Sequence, residues 1–140
     1  MKDAYKIIQN SEEIPQIYKY YWGYQFHLGE RILVDKLKKL NAFKPGVSVA
    51  EIGSAEGGVL AAFVLEGANN ALGTDIVQSR LDLGEKISKL IDIPIEFKNH
   101  NLLNEPLKPE WQNAFDLVIL RDVIEHLDDT ELAQIGRAHV

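Results

Sequence analysis

An α/β protein built on a parallel sheet, with helices leading into it, is the fold this sequence predicts, and three observations predict it. After Val47 the chain alternates short apolar runs of strand length with stretches of helical period, the pattern of successive strand-helix-strand units. Two of those runs end in an acid, Glu51 and Asp75. The first passes into a loop of small residues that opens an apolar helix, which is how an open parallel sheet presents a ligand to its strand ends.

Residues 1–42 read as two covering helices. Ser11 is placed to cap the first, ahead of Glu12 and Glu13, which suit the positive end of a helix dipole. Ile14, Ile17, Tyr18 and Tyr21 follow at helical spacing, an aromatic face expected to point inward. In the second helix Leu28, Ile32, Leu33, Leu37 and Leu40 form one stripe, leaving Lys36, Lys38 and Lys39 to solvent near the C-terminal end. Between them Tyr20, Tyr21, Trp22, Tyr24 and Phe26 crowd together. Two readings of that cluster stand: a helix face packed in the core, or a lid over a ligand.

Pro45 and Gly46 end the helical part, and strands are expected at 47–52, 71–75, 95–98 and 115–120. The helix at 58–66 is apolar on nearly every side and closes at Gly67, as suits a helix packed on a sheet and stopped by a left-handed cap. The next, at 79–91, turns Leu83, Ile87, Leu90 and Ile91 inward. Pro94, Pro106 and Pro109 mark the later connections.

Composition narrows the function classes. At 140 residues the chain holds one domain or less, and 46% apolar with 26% charged residues sets it apart from disordered and fibrous chains. The longest apolar run, 59–65, falls far short of the roughly 20 residues a membrane-spanning helix needs. The N-terminus has no basic segment leading into a hydrophobic one, so neither membrane insertion nor export is expected. The absence of cysteine excludes disulfides and thiolate metal sites and fits the cytoplasm. A net charge of −6 gives no bulk attraction to phosphate backbones, so nucleic acid is not indicated. His27 and His100 share no metal-ligand spacing and are expected to be structural.

The residues that carry chemistry begin at 49–58, where Glu51 ends a strand and Gly53, Ser54, Ala55, Glu56 and Gly57 turn the chain into a helix. Small residues let a bulky ligand approach the main chain, since no side chain stands between. Asp75 then ends the second strand, where a carboxylate can accept both hydroxyls of a ribose lying over the loop. The alternative for Asp75 is to cap the helix beginning near Ser79.

With these segments the sequence resembles the class I S-adenosylmethionine-dependent methyltransferases, from about Phe43 to Asp129. That resemblance implies a Rossmann-like parallel sheet, of which this chain holds the first four of seven strands. The family's acid-x-Gly-x-Gly-x-Gly motif falls on Glu51, Gly53, Ala55 and Gly57, with alanine replacing the middle glycine. It implies that Glu51 orients the methionine ammonium, directly or through water, and that the loop from Gly53 through Ser54 to Gly57 passes beneath the cofactor. It further implies ribose binding by Asp75 and adenine packing on Ile76. Asn101, beside Leu102, stands where relatives place an Asp near the adenine amino group, and Arg121 lies beside the cofactor. The most specific match is 115–127, ending in Glu125, His126 and Leu127. Glu125 and His126 either hold that turn together or take part in acid-base chemistry, and no catalytic residue is assigned.

The implied function is transfer of a methyl group from S-adenosylmethionine to an unidentified acceptor. A non-catalytic Rossmann-like binding module is the alternative. An NAD(P)-dependent oxidoreductase fits less well, because its Gly-x-Gly-x-x-Gly fingerprint is broken at Ala55 and the Glu51 charge would oppose a diphosphate. The domain at 43–134 is expected to be incomplete. Residues 135–140 match what one reading frame of a common sequencing adapter encodes, and are expected to be non-native. An apolar fourth strand of the kind buried on both sides, left without its next neighbour, is expected to make the chain self-associate.

Overall fold

The computed structural model describes residues 3–121. Helices α1 (Ala4–Asn10) and α2 (Gln16–Leu28) come first, and α2 runs through a π-helical turn at Gly29–Leu33 into α3 (Val34–Lys39). Strand β1 (Ser48–Ile52), helix α4 (Gly58–Leu65), strand β2 (Asn70–Asp75), helix α5 (Gln78–Leu90) and strands β3 (Glu96–Asn99) and β4 (Leu117–Leu120) follow. The turn carrying Glu125 and His126 and the segment 135–140 lie outside the described residues.

All pairings are parallel, in the order β3-β2-β1-β4. Ile52 is registered against Thr74 on one side and Leu120 on the other, and Asp75 against Asn99. The four strands therefore finish at one edge. The chain crosses from β3 to the far side of β1 to form β4, so a switch in winding direction falls between β1 and β4, where open parallel sheets leave a crevice. Among the described residues the apolar strand β4 is a sheet edge, with Val118 40% exposed.

The four strands and both intervening helices match the sequence reading to within two residues at each end. Six of the eight residues of α4 are buried, and Gly67, at φ 108°, closes it in the left-handed conformation. Ala61 and Ala62 of α4 meet Ile87 of α5 and Ile91 in one cluster with Ile8, Ile14, Trp22 and Phe26, so the N-terminal helices share the core of the sheet layer. Trp22 and Phe26 stack with centroids 4.9 Å apart. Burying either ring stabilises by about 1.5–3 kcal/mol, which decides the face of α2 that turns inward.

The N-terminal part corrects the sequence reading in three ways. Ser11 caps no helix N-terminus: it lies at the C-terminal end of α1, and its Oγ accepts from the Glu13 amide at 3.1 Å in a local turn. Such turns compete for the same hydroxyl as helix caps do. Ile17 and Tyr21 are exposed, not buried, because Trp22 and Phe26 take the core side. Finally, the stripe from Leu28 to Leu40 holds only in part: Leu33 and Leu37 pack against the core cluster of Val34, Val49 and Phe63, and Ile32 and Leu40 do not. A π turn adds a residue to the helical repeat, so Gly29 and Val34 turn inward while Ile32 and Leu40 are 54% and 67% exposed.

Candidate functional site

A cleft of about 900 Å³ opens at the strand ends. Each strand delivers a residue to it: Gly53 after β1, Asp75 from β2, Asn101 after β3 and Arg121 after β4. Its other side is α2, which contributes Tyr20, Tyr21, Tyr24 and Gln25.

The loop between β1 and α4 is shaped by its neighbours. The amides of Gly53 and Ser54 donate to the Thr74 carbonyl at 2.8 and 2.9 Å, so the chain turns over the end of β2. Gly53, Ala55 and Gly57 have φ of 74°, 49° and 82°. Gly57 is the position that demands glycine, because a Cβ there would lie 2.6 Å from the Phe97 ring. Ala55 adopts the left-handed conformation despite its Cβ, at a cost of about 1–2 kcal/mol, and its amide donates to Asp75 Oδ2 at 2.9 Å. Asp75 Oδ1 accepts from the Val77 amide at 3.0 Å. Asp75 is thus no cap of α5, whose N-terminal residue Val77 has no side-chain cap. It is the clasp between the two loops, and each of its oxygens keeps a lone pair beyond the one so used.

Of the residues singled out in the sequence, Gly53, Ala55, Asp75, Ile76, Asn101, Leu102 and Arg121 line the cleft. Glu51, Ser54 and Gly57 do not. Glu51 is buried and lines an adjoining cavity of about 140 Å³ that shares Ile52, His100 and Leu102 with the cleft. Ser54 is fully buried, packed where a Cβ on Gly73 would fall. Asn101 has its Oδ1 engaged by the amides of Leu103 and Asn104, at 3.0 and 3.3 Å. Both lone pairs of that oxygen are used within its own loop.

Several lining residues escaped the sequence reading. Arg80 reaches from α5 to the buried Glu56, with Nε to Oε2 at 2.6 Å, while its guanidinium lies 5.3 Å from the Tyr18 ring centroid and 5.7 Å from that of Tyr21. Gln25 spans from α2 to the N-terminus of α4, its Oε1 accepting from the Gly58 amide at 3.1 Å and its Nε2 facing Glu56 Oε1 at 3.5 Å. His100 is buried against Trp111, Nε2 at 3.2 Å from the Pro106 carbonyl, and touches both cavities. Tyr20, Tyr21 and Tyr24 did not escape it: they fit the second reading of the aromatic cluster, rings over a ligand cleft, while Trp22 and Phe26 fit the first. Ile17, Tyr20, Tyr21 and Tyr24 follow the i, i+3, i+4, i+7 spacing of a second apolar face on a helix whose first face is Trp22 and Phe26. Among the described residues, no group of His, Cys, Asp or Glu is arranged to hold a metal ion.

Residues 50–135 match the family model described as a methyltransferase domain. The chain belongs to the methyltransferase-domain family. Solved structures agree in fold. The magnesium protoporphyrin IX methyltransferase of Synechocystis, with bound SAH, is 19% identical, over 97% of this chain and 60% of that one, with a TM-score of 0.62. The PH0226 protein of Pyrococcus horikoshii is 20% identical, over 98% and 58%, also at 0.62. An S-adenosylmethionine-dependent methyltransferase of Clostridium acetobutylicum is 14% identical, over 81% and 44%, at 0.67. This methyltransferase-family chain spans about half the length of the solved structures it matches. No curated protein sequence matches it. Among the described residues no helix is long and apolar enough to cross a membrane.

Proposed function

We propose that this chain carries the S-adenosylmethionine site of a cytoplasmic methyltransferase whose acceptor is not yet identified. One observation carries the choice of cofactor: the end of α4 is closed and the strand ends are open. A dinucleotide would seat its diphosphate on the first amides of the helix after the loop. Here the Gly58 amide is taken by Gln25, and Gly58 is buried beneath Trp22 and Gln25, whose atoms lie 2.6 Å from where its Cβ would be. The Gly58 amide is therefore already engaged where a diphosphate would need it. What the cleft does offer is the carboxylate of Asp75, the backbone at Gly53 and Ala55, and apolar surface from Ile76, 64% exposed, a donor and acceptor set that fits a nucleoside without phosphates.

In this reading the bound cofactor supplies a methyl group activated on a sulfonium. Asp75 would hold the ribose hydroxyls with its remaining lone pairs, Ile76 and Leu102 would offer apolar contact to the adenine, and the loop at 53–57 would support the cofactor. Glu51, buried and lining the adjoining cavity, would orient the methionine ammonium directly or through water. The remaining task of the protein is to align two reactants and keep water away, which by itself is worth several kcal/mol of barrier. No acid or base in the cleft is required for that.

Calorimetric titration of the 140-residue chain with S-adenosylhomocysteine and with NADH tests this reading. Saturable binding of the first alone, weakened at least tenfold in Asp75→Ala with the circular dichroism spectrum retained, is expected. NADH binding equal to or tighter than that of S-adenosylhomocysteine would refute it.

A further inference from the structure

Three exposed tyrosines on one face of α2 line the cleft, and the cofactor reading leaves them without a task. Tyr20, Tyr21 and Tyr24 are 66%, 43% and 59% exposed. The helix does not turn them outward for want of a core side, since Trp22 and Phe26 fill that role. Nor is the face loosely held. Gln25 fastens the middle of α2 to α4, and Arg80, anchored on the buried carboxylate of Glu56, lies against the rings of Tyr18 and Tyr21. The π turn that follows directly, at Gly29–Leu33, is a feature that recurs near functional sites. A row of aromatic rings fixed on a rigid element is the arrangement that binds a flat partner at low entropic cost.

The cleft also has space for more than a cofactor. Its volume of about 900 Å³ is near the upper end of the roughly 300–1,000 Å³ common for small-molecule sites. The groups assigned to the cofactor come from the strand ends, while the tyrosines come from α2. Electrostatics narrow what fills the rest. The Lys and Arg residues among the described lining are Arg80, already paired with Glu56, and Arg121. A nucleic acid would need several cationic phosphate contacts. The carboxylate among the described lining residues is Asp75, which the cofactor reading assigns to the ribose. Tyrosine supplies a π face for stacking and a hydroxyl that donates or accepts one hydrogen bond.

Resting on the cofactor assignment above, we propose that the Tyr20, Tyr21 and Tyr24 face of α2 is the acceptor wall, and that it takes a small, uncharged acceptor with a planar aromatic body. The test uses the whole chain saturated with S-adenosylhomocysteine. Calorimetry then measures binding of 2-naphthol as a planar probe, cyclohexanol as a non-planar one and an oligouridylate as a polyanion, to the native chain and to Tyr20→Leu/Tyr24→Leu. Leucine keeps apolar surface and removes the flat rings. Because both positions are exposed, the variant keeps its fold and binds S-adenosylhomocysteine within about twofold of the native chain. Expected are a preference for 2-naphthol over both other probes and a roughly tenfold loss of 2-naphthol affinity in the variant. Normal S-adenosylhomocysteine binding with unchanged 2-naphthol affinity in the variant overturns the acceptor wall alone. So does equal binding of cyclohexanol, or a preference for the oligouridylate. Failure of S-adenosylhomocysteine to bind the native chain overturns the cofactor site, and the acceptor wall with it.

Discussion

The Phe97 ring sits in a slot between two glycines, and filling either side of that slot should destabilise the protein in a characteristic way. A Cβ on Gly57 would lie 2.6 Å from Phe97 Cζ, and one on Gly84 2.7 Å from the same atom. Phe97 is 6% exposed and belongs to β3, so it has little room to withdraw. Gly57→Ala adds left-handed strain of about 1–2 kcal/mol to overpacking of about 1–3 kcal/mol, a loss of roughly 2–5 kcal/mol. Gly84→Ala is the sharper test, because in an ordinary helix interior that change stabilises by about 0.5–1 kcal/mol. Here overpacking outweighs the gain, and a net loss of roughly 0.5–2 kcal/mol is expected. Adding Phe97→Leu to Gly84→Ala removes the offending ring, so the pair should be favourably coupled by about 1 kcal/mol. Urea denaturation followed by the fluorescence of the buried Trp22 measures these three variants and the single Phe97→Leu change that the coupling requires. A Gly84→Ala protein as stable as the native one, or more so, would refute the packing.

Arg80→Met leaves the buried Glu56 without its guanidinium and should cost about 3 kcal/mol. Adding Glu56→Gln removes the charge and should recover much of the loss in the same denaturation assay. At the other end of the sheet, the exposed Asp116 accepts from the Ser48 amide and from Ser48 Oγ, both at 3.0 Å, tying the start of β4 to β1. The backbone bond first, and the hydroxyl second, hold its pKa below the usual 3.8. A lowered carboxylate pKa means stability present above pH 3.8 and lost as the pH falls through the lower, folded value. An NMR titration should place the Asp116 midpoint below 3.8, and Asp116→Asn should remove that part of the acid sensitivity.

The sheet was legible because a parallel strand buried on both faces and the acid or glycine that follows it leave a local mark. The runs ending at Glu51 and Asp75 carry that mark, and the loop between β1 and α4 follows from its small residues. The helices before the sheet were less legible for a stated reason. A stripe counted at 3.6 residues per turn slips once a π turn intervenes, which is why Ile32 and Leu40 came out on the wrong side. The aromatic cluster in α2 held two faces at once, and only the tertiary contacts sort Trp22 and Phe26 to the core and the tyrosines to the cleft. The Glu56, Arg80 and Gln25 network joins three elements through side chains far apart in sequence. Nothing local in the sequence signals such a meeting. Asn101 shows the converse: its residue type fits the expected site, but the backbone amides of its own loop have claimed its oxygen.

The most direct test of the cofactor site is a map of amide chemical shifts in the 140-residue chain as S-adenosylhomocysteine is added. The loop and strand-end amides of Gly53, Ala55, Ile76, Leu102 and Arg121 should move together with one saturation curve, while the Gly58 amide, held by Gln25, should stay nearly still. Shifts centred on Gly58 and the start of α4, with the Asp75 and Ile76 amides unmoved, would place the ligand on the helix end and contradict the account.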